Sequence, residues 1–498
     1  MSSVYDPPYP IPYNPIAGTT RANAGTPPVY NVLDYGADPT GAADSLPAIL
    51  QARVVCKANG GGQLYYPPGE FKISGSIPLS SGIYHIGAGE GATLLTATAN
   101  LVGMFSAILL SGQSLTECGV GEMTIDGLTG VTGTTTGVEL DSSASAAILT
   151  RGVWFDRLHF MNCLAGINHA GNNANAGAMN NKVTAQSCVF DACGAGYELL
   201  GTYGVEIVNC HGLQNTVATV LSPTIKSGGA VNAGTGPTTV TRISGLHSEG
   251  RGDLTGTLGY TDDAIAFGGS DTRIIDCELS NISEFPIHFE SAEGEGSFIG
   301  HIMVWGCGGP MLYCDSSTLS EPAIVSDYVG AYICRNTSLN PNYGQRAAVA
   351  FNGGTWMADN IMVADAASNP VPYALSVGAD APNQTGIIRV SRFFCPAPST
   401  EWLQVLNTQS DMDLRISDSP GYNPTGPQTA PAIPASGTAL TNPFPFDCTV
   451  YVNGGTVTAV AISGTDTGQI TGAFSLPAGE TITLTYSVVP TSWTWFGN

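Results

Sequence analysis

Apolar residues in this chain come in very short runs that alternate with small and polar ones, and glycine, proline, asparagine and serine separate the runs. Such alternation predicts half-buried strands rather than helices. From about Val29 to about Arg392 the runs form a two-strand phrase. In its first strand a buried position is followed two and then five residues later by others: Leu158, Phe160 and Cys163; Cys188, Phe190 and Cys193; Cys277, Leu279 and Ile282. A second strand follows a tight turn, beginning at Gly166 (GINH), Gly196 (GYEL), Ala264 (AIAF), Pro286 (PIHF) and Pro310 (PMLY). The phrase recurs roughly every 20 to 35 residues, the period of a solenoid whose coils bury their apolar edges on each other. Insertions at 171–181 and 222–239 lengthen the turns on one side, and the register of the phrase is lost after Gly330.

One segment breaks the strand pattern. Leu46, Ile49, Leu50, Val54 and Val55 recur near helical spacing, Asp44 or Ser45 can cap the first free N–H groups, Pro47 suits a first turn, and Gly60-Gly61-Gly62 ends the run. A strand at Val29–Leu33 precedes this helix, and short strands at Gln63–Tyr66, Phe71–Ile73, Ile83–Ile86 and Thr93–Leu95 follow it. A helix in this position covers the open end of a stack of strands. Residues 1–28, rich in proline and tyrosine, read as an extended arm; 29–409 as the solenoid; 410–435, rich in Pro, Gly and Thr, as a linker. Residues 436–498 alternate cleanly at Val450 and Val452, at Val457, Ala459 and Ala461, and at Ile482, Leu484 and Tyr486, which predicts a small antiparallel β-sandwich.

Composition narrows the function. Only 11% of residues are charged and the net charge is -23, which argues against a phosphate-binding surface and so against nucleic acid. No apolar run reaches membrane-spanning length, so membrane insertion is not expected. The first residues, MSSVYDPPYPIPYNP, lack the basic start and apolar stretch of a secretory signal. Either the sequence is a mature form or the protein leaves its cell by another route. The twelve cysteines include no CxxC pair and fall near strand ends, so they are expected to be reduced and packed rather than cross-linked, metal-binding or catalytic.

The stretch DYGADPTGAADSLPAI, the Gly60–Gly62 run, YYPPGEF at Tyr65 and GAGEG at Gly87 resemble the opening segment of the pectate-lyase-like right-handed parallel β-helix proteins. These include bacterial pectin-degrading enzymes and many bacteriophage tailspikes and tail-tip proteins. The resemblance implies an all-β fold, a right-handed parallel β-helix with an N-terminal capping helix. The passages NPFPFDCTVYVNGG, LPAGETITLTYS and the closing WTWFGN look like the small carboxy-terminal domain of tail proteins from phages that infect actinobacteria. Tail proteins of this type imply a homotrimer, a place in the virion after synthesis in host cytoplasm, contacts with other tail proteins through the amino-terminal arm, and a glycan on the host surface as ligand.

Candidate chemistry lies in the second-strand phrases. If Ile265, Phe267, Ile287 and Phe289 point inward, then Asp262, Ala264, Ala266, His288 and Glu290 point outward, with Asn168 and Glu198 at the matching position of earlier coils. Asp262, Asp263, Glu290, Glu198 and His288 would then form one acidic cluster, with Glu249, Asp253 and Tyr260 approaching from a loop. Two neighbouring carboxyl groups raise each other's pKa and can serve as the acid and base of glycoside cleavage. TDDAIAF also resembles the paired-aspartate motif of polygalacturonase-type hydrolases. That family's Asn-Thr-Asp, Gly-His-Gly and Arg-Ile-Lys have no counterparts here, which counts against a free pectinase. The acids could hold Ca2+, but no local calcium loop occurs and no cofactor is expected. Trp493 and Trp495 are candidates for stacking on sugar, or for closing a small core or subunit contact. The expectation is a tail protein that attaches to host glycan, with two open alternatives for its acids: depolymerase chemistry, or a solvated face on a non-catalytic adhesion protein.

Overall fold

The computed structural model describes residues 27–127, 135–144, 148–171, 182–216, 218–222, 239–250, 263–267, 271–282, 285–289, 296–314, 323–332, 347–365, 371–378, 386–395, 401–406, 412–419, 422 and 426–497. The amino-terminal arm and most of both long insertions lie outside them.

Each coil contributes three strand segments. The first two belong to one large parallel sheet and, beyond the opening coils, meet at a bent residue; the third belongs to a 12-stranded parallel sheet. We call the outer surfaces of these segments the first, second and third faces. The bend between first and second faces repeats in register from coil to coil: Arg157, Ser187, Asn209, Asp276, His301, Asp327, Asn360 and Arg392 all hold φ between 48° and 56°. Left-handed backbone disfavours residues with a Cβ. From Asp276 to Asn360 the bend side chains bond from one coil to the next. Asn360 donates to Asp327, His301 Nδ1 lies 3.2 Å from Asp276, and Arg392 pairs with Asp359. The result is a polar ridge along the solenoid. Short polar side chains favour such bends locally, but nothing in the phrase marked where they recur.

The interior repeats as closely. Phe160 stacks on Phe190 at 5.4 Å and 7°, Cys163 lies over Cys193, and eleven described cysteines are free and buried. On the first face Tyr84, Gly119 and Trp154 occupy one row. A Cβ on Gly119 would lie 2.4 Å from the Trp154 ring, so glycine is what lets Trp154 lean over and stack on Tyr84 at 5.7 Å.

The helix, α1 (Leu46–Ala58), stands where expected but is rotated. Ala48, Ile49, Ala52 and Cys56 are buried on the end of the stack, whereas Val54 is exposed. The small residues win because a helix laid across strand ends must approach closely. Asp44 Oδ1 accepts the Leu46 N–H at 3.1 Å, while the Ser45 hydroxyl is used by the Asp38 N–H instead. Asp38 in turn accepts from Thr40, Ala42 and Ala43, bonds that pull its carboxyl down to about 2. The expected strand at 29–33 is shorter, Val29–Asn31, and leads into a 3-10 turn at Val32–Tyr35.

Two corrections concern the carboxy-terminal part. The stretch 410–435 is not unpaired throughout: Met412–Ser417 adds a further parallel strand beside Gly386–Phe394, and Pro427–Gln428 pairs with the last strand, Ser492–Gly497. Two four-stranded antiparallel sheets follow. In Thr456–Ile462 register shifts bury Val460, while Ala459 and Ala461 are only partly covered. The sandwich is tied to the last coil by Leu414 N–H to the Pro445 carbonyl, 2.7 Å, and by Arg415 to Asp447, 2.7 Å.

Candidate functional site

One outward row runs the length of the third face. In register it reads Ser106, Glu139, Asn168, Glu198, Leu221, Ala266, His288, Tyr313, Ala350 and Ser376. Ile265, Phe267, Ile287 and Phe289 point inward and are fully buried, as the alternation requires. The outward row is not solvated, however. Ala266, His288, Tyr313 and Ala350 are buried too, and Phe285, Tyr313 and Ala350 form a small apolar cluster outside the main core.

Asp263 is the first residue of its strand, Asp263–Phe267. Its Oδ1 accepts the Phe285 N–H at 2.9 Å, and its Oδ2 lies 3.4 Å from His288 Nδ1 in the next coil. His288 packs edge-on against both Phe285 and Tyr313, each ring centroid 5.0 Å away, while Phe285 and Tyr313 stack on each other at 4.6 Å. The Asn352 amide donates to the Tyr313 hydroxyl at 2.9 Å. An aspartate on Nδ1 holds the imidazole in one orientation and tautomer, with Nε2 as the basic nitrogen. Asp263, His288 and Tyr313 thus bring a carboxylate, an imidazole and a phenol together on neighbouring coils, the components of general acid–base chemistry.

Of the predicted cluster, Asp263 and His288 come together. Glu198 does not join them. It stands three strands away on the same row, about 14 Å at the spacing of paired strands. Its register neighbour is Asn168, whose amide donates to both carboxylate oxygens of the fully buried Glu139 at 3.1 and 3.0 Å. Glu249 lies elsewhere again, exposed on the second face in His247–Glu249. Asp253, Tyr260, Asp262 and Glu290 lie outside the described residues. Tyr313 and Asn352 were missed for a definite reason. The PMLY phrase suggests Leu312 opposite His288, but the observed pairing sets Tyr313 there, and a one-residue slip exchanges the faces. Glu139 had a usable signal, since GVEL at Gly137 repeats the pattern of GYEL at Gly196.

Trp493 and Trp495 are not a sugar platform. Trp495 is fully buried between Phe444 and Trp493, and Trp493 Nε1 donates to the Pro431 carbonyl at 2.8 Å. A ring with no open face cannot stack on a ligand. Trp493→Phe keeps the ring contacts and removes that bond; it is expected to cost the sandwich about 1 kcal/mol in urea unfolding.

Among the described residues no group of three or more His, Cys, Asp or Glu side chains is placed to hold a metal ion, and no helix is long and apolar enough to cross a membrane.

Parallel coils with one helix over their end define a parallel β-helix protein. Residues 29–129 match the family model described as rhamnogalacturonase A/epimerase, pectate lyase-like, so the chain carries a pectate-lyase-like domain over that stretch. The mannuronan C5-epimerase AlgE3 of Azotobacter vinelandii is 34% identical over 109 residues, which cover 20% of this chain and 6% of that enzyme. The chain therefore spans a small part of the curated relatives it matches. Among solved structures, the catalytic domain of Agl-KA has a TM-score of 0.52 at 15% identity, covering 79% of this chain and 69% of that one, and shows the shared fold. The tailspike of Escherichia coli bacteriophage HK620, solved with a pentasaccharide, covers 94% of this chain and 93% of its own at 12% identity and a TM-score of 0.43.

Proposed function

We propose that this protein is a bacteriophage tail protein that attaches to a polysaccharide of the host cell surface and depolymerises it on the third face of its β-helix. It acts in the virion as a homotrimer and meets other tail proteins through its amino-terminal arm. The observation that carries the chemistry is the contact of Asp263 with His288, which stands beside Tyr313 on the outward row of the third face. The pair has one structured carboxylate beside an oriented imidazole, which suits His288 as the proton-transferring group and Asp263 as its positioning partner. The similarity of a 109-residue stretch to a mannuronan C5-epimerase supports a glycan as the ligand class.

The test is depolymerisation of purified host cell-envelope polysaccharide by the isolated protein, followed by chain length. The wild-type protein is expected to release short oligosaccharides. His288→Gln and Asp263→Asn are each expected to slow release on the order of a hundredfold or more, with glycan binding retained. The burial of the row favours a second reading, a non-catalytic adhesion protein. Binding of the polymer with no shortening would establish that reading and remove the depolymerase.

A further inference from the structure

The chain has 16 lysines and arginines against 39 acids, yet one row of the first face concentrates basic residues. In register it reads Arg242, Arg273, Phe298, Ile324, Met357, Arg389. Across the ridge, the second face of the same coils carries Glu249 and Glu278 first, and then Met303, Trp305 and Met362. Along these coils both faces change from charged to apolar. Strands Thr239–Ser244 and His247–Glu249, which follow one another, offer Arg242 and Glu249; Arg273–Ile282 offers Arg273 and Glu278. Phe298–Cys307 offers Phe298 against Met303 and Trp305; Gly354–Asp365 offers Met357 against Met362; Gly386–Phe394 offers Ile387 against Phe394. Ile324, Met357 and Ile387 on the first face, and Met303, Trp305, Met362 and Phe394 on the second, are between 42% and 51% exposed, although each is large and apolar.

We infer that these faces are the contact between copies of this chain: the first face of one copy packs, parallel and at the same height, on the second face of the next. That arrangement sets arginine opposite glutamate in two coils and apolar opposite apolar in the coils of Phe298, Met357 and Ile387, with Arg389 ending the first-face row beside Ile387. It also answers the charge problem, since copies carrying -23 each repel unless their contact surfaces differ in sign. Among the described residues neither Arg242 nor Arg273 forms an ion pair within the chain. Each face measures roughly 30 Å by 15 Å, about 450 Å². Each pairwise contact thus involves about 450 Å² on either partner, about half the roughly 800 Å² per partner of a standard stable interface, and a closed ring of three makes three such contacts. A contact between two different faces is heterologous and closes into a ring around the ridge. This inference rests on the homotrimer proposed above and names its surfaces.

The experiment is light scattering on the purified full chain. Wild-type protein is expected at three times the 51.3 kDa chain mass. Trp305→Asp, which disables the second face, and Met357→Asp, which disables the first, are each expected to be monomeric with unchanged circular dichroism, because both side chains are half-exposed. Mixed one to one, the two variants retain one intact pair of faces and should form a dimer, which a contact between identical faces would not give. Arg273→Glu and Glu278→Arg should each weaken the trimer, and the double variant should restore it. A wild-type trimer that survives all these substitutions overturns the faces and leaves the homotrimer standing. A monomeric wild-type protein overturns both.

Discussion

Lowering the pH from 6.5 to 4.5 is expected to remove about 5 kcal/mol of stability through two buried histidines. His85 and His169 are fully buried inside the solenoid. His85 Nδ1 bonds the Tyr66 hydroxyl at 2.8 Å and its ring lies against Phe105; His169 Nδ1 lies 3.4 Å from the Tyr197 hydroxyl. Burial holds both rings neutral and pushes each pKa down to about 3, helped at His85 by the Arg53 guanidinium. The unfolded chain takes up these protons near 6.5 and the folded one does not. Stability is therefore fully present above pH 6.5 and falls as the pH drops toward 3, by about 1.4 kcal/mol per unit for each ring. The low carboxyl pKa values at Asp38 and Asp359 act only below pH 4, outside this window. Urea midpoints measured at pH 7, 5.5 and 4.5 check the slope. The double variant His85→Phe/His169→Phe should lose most of it, whatever its stability at pH 7. An unchanged slope in that variant would mean that other groups carry the acid sensitivity.

Trp356→Ala is expected to cost about 3–5 kcal/mol, because it empties the largest fully buried side chain of the solenoid. The indole fills the space between Phe351 at 5.2 Å and Phe289 at 5.7 Å, and its Nε1 donates to the Gly353 carbonyl at 2.8 Å. Truncation leaves a cavity and strips that carbonyl of its donor. A stack of coils cannot collapse locally, since every strand is held in register by a neighbour above and below. Urea unfolding of the variant beside Val54→Ala provides the check. Val54 is 61% exposed on α1, so its truncation should stay within about 0.5 kcal/mol. Equal effects from the two would show that the burial assigned to Trp356 is wrong.

How much of the candidate site was legible follows the same physics. The inward rows at Ile265, Phe267, Ile287 and Phe289 could be read directly, because alternation along a strand is a local property of three or four residues. The pairing of Asp263 with His288 was also within reach, since the two phrases are adjacent. Glu198 was assigned to the same cluster because it holds the equivalent place in its own phrase. Equivalence in a solenoid says that two residues lie on one row; it does not say how many strands separate them. The αL bends at Ser187, His301 and Arg392 show the same limit from another side. None of these residue types favours the conformation strongly, and only the bonds between coils hold it.

The sequence by itself determined that this chain is a stack of short strands closed by a helix and followed by a small sandwich. Apolar spacing, glycine stops and turn residues act over a few positions, and their chemistry leaves few alternatives. It also determined which side chains enter the core, with slips where a bulge, as at Val460, or an off-register phrase, as at Tyr313, exchanged the faces. Only the tertiary structure decided who stands beside whom. Loops of unequal length separate successive coils, so the contact between Tyr313 and His288, the isolation of Glu198, the burial of Trp495 and the alignment of Arg273 with Ile324 all depend on strands distant in the chain pairing at one register. Pairing energy is shared over a whole strand rather than held by any local motif.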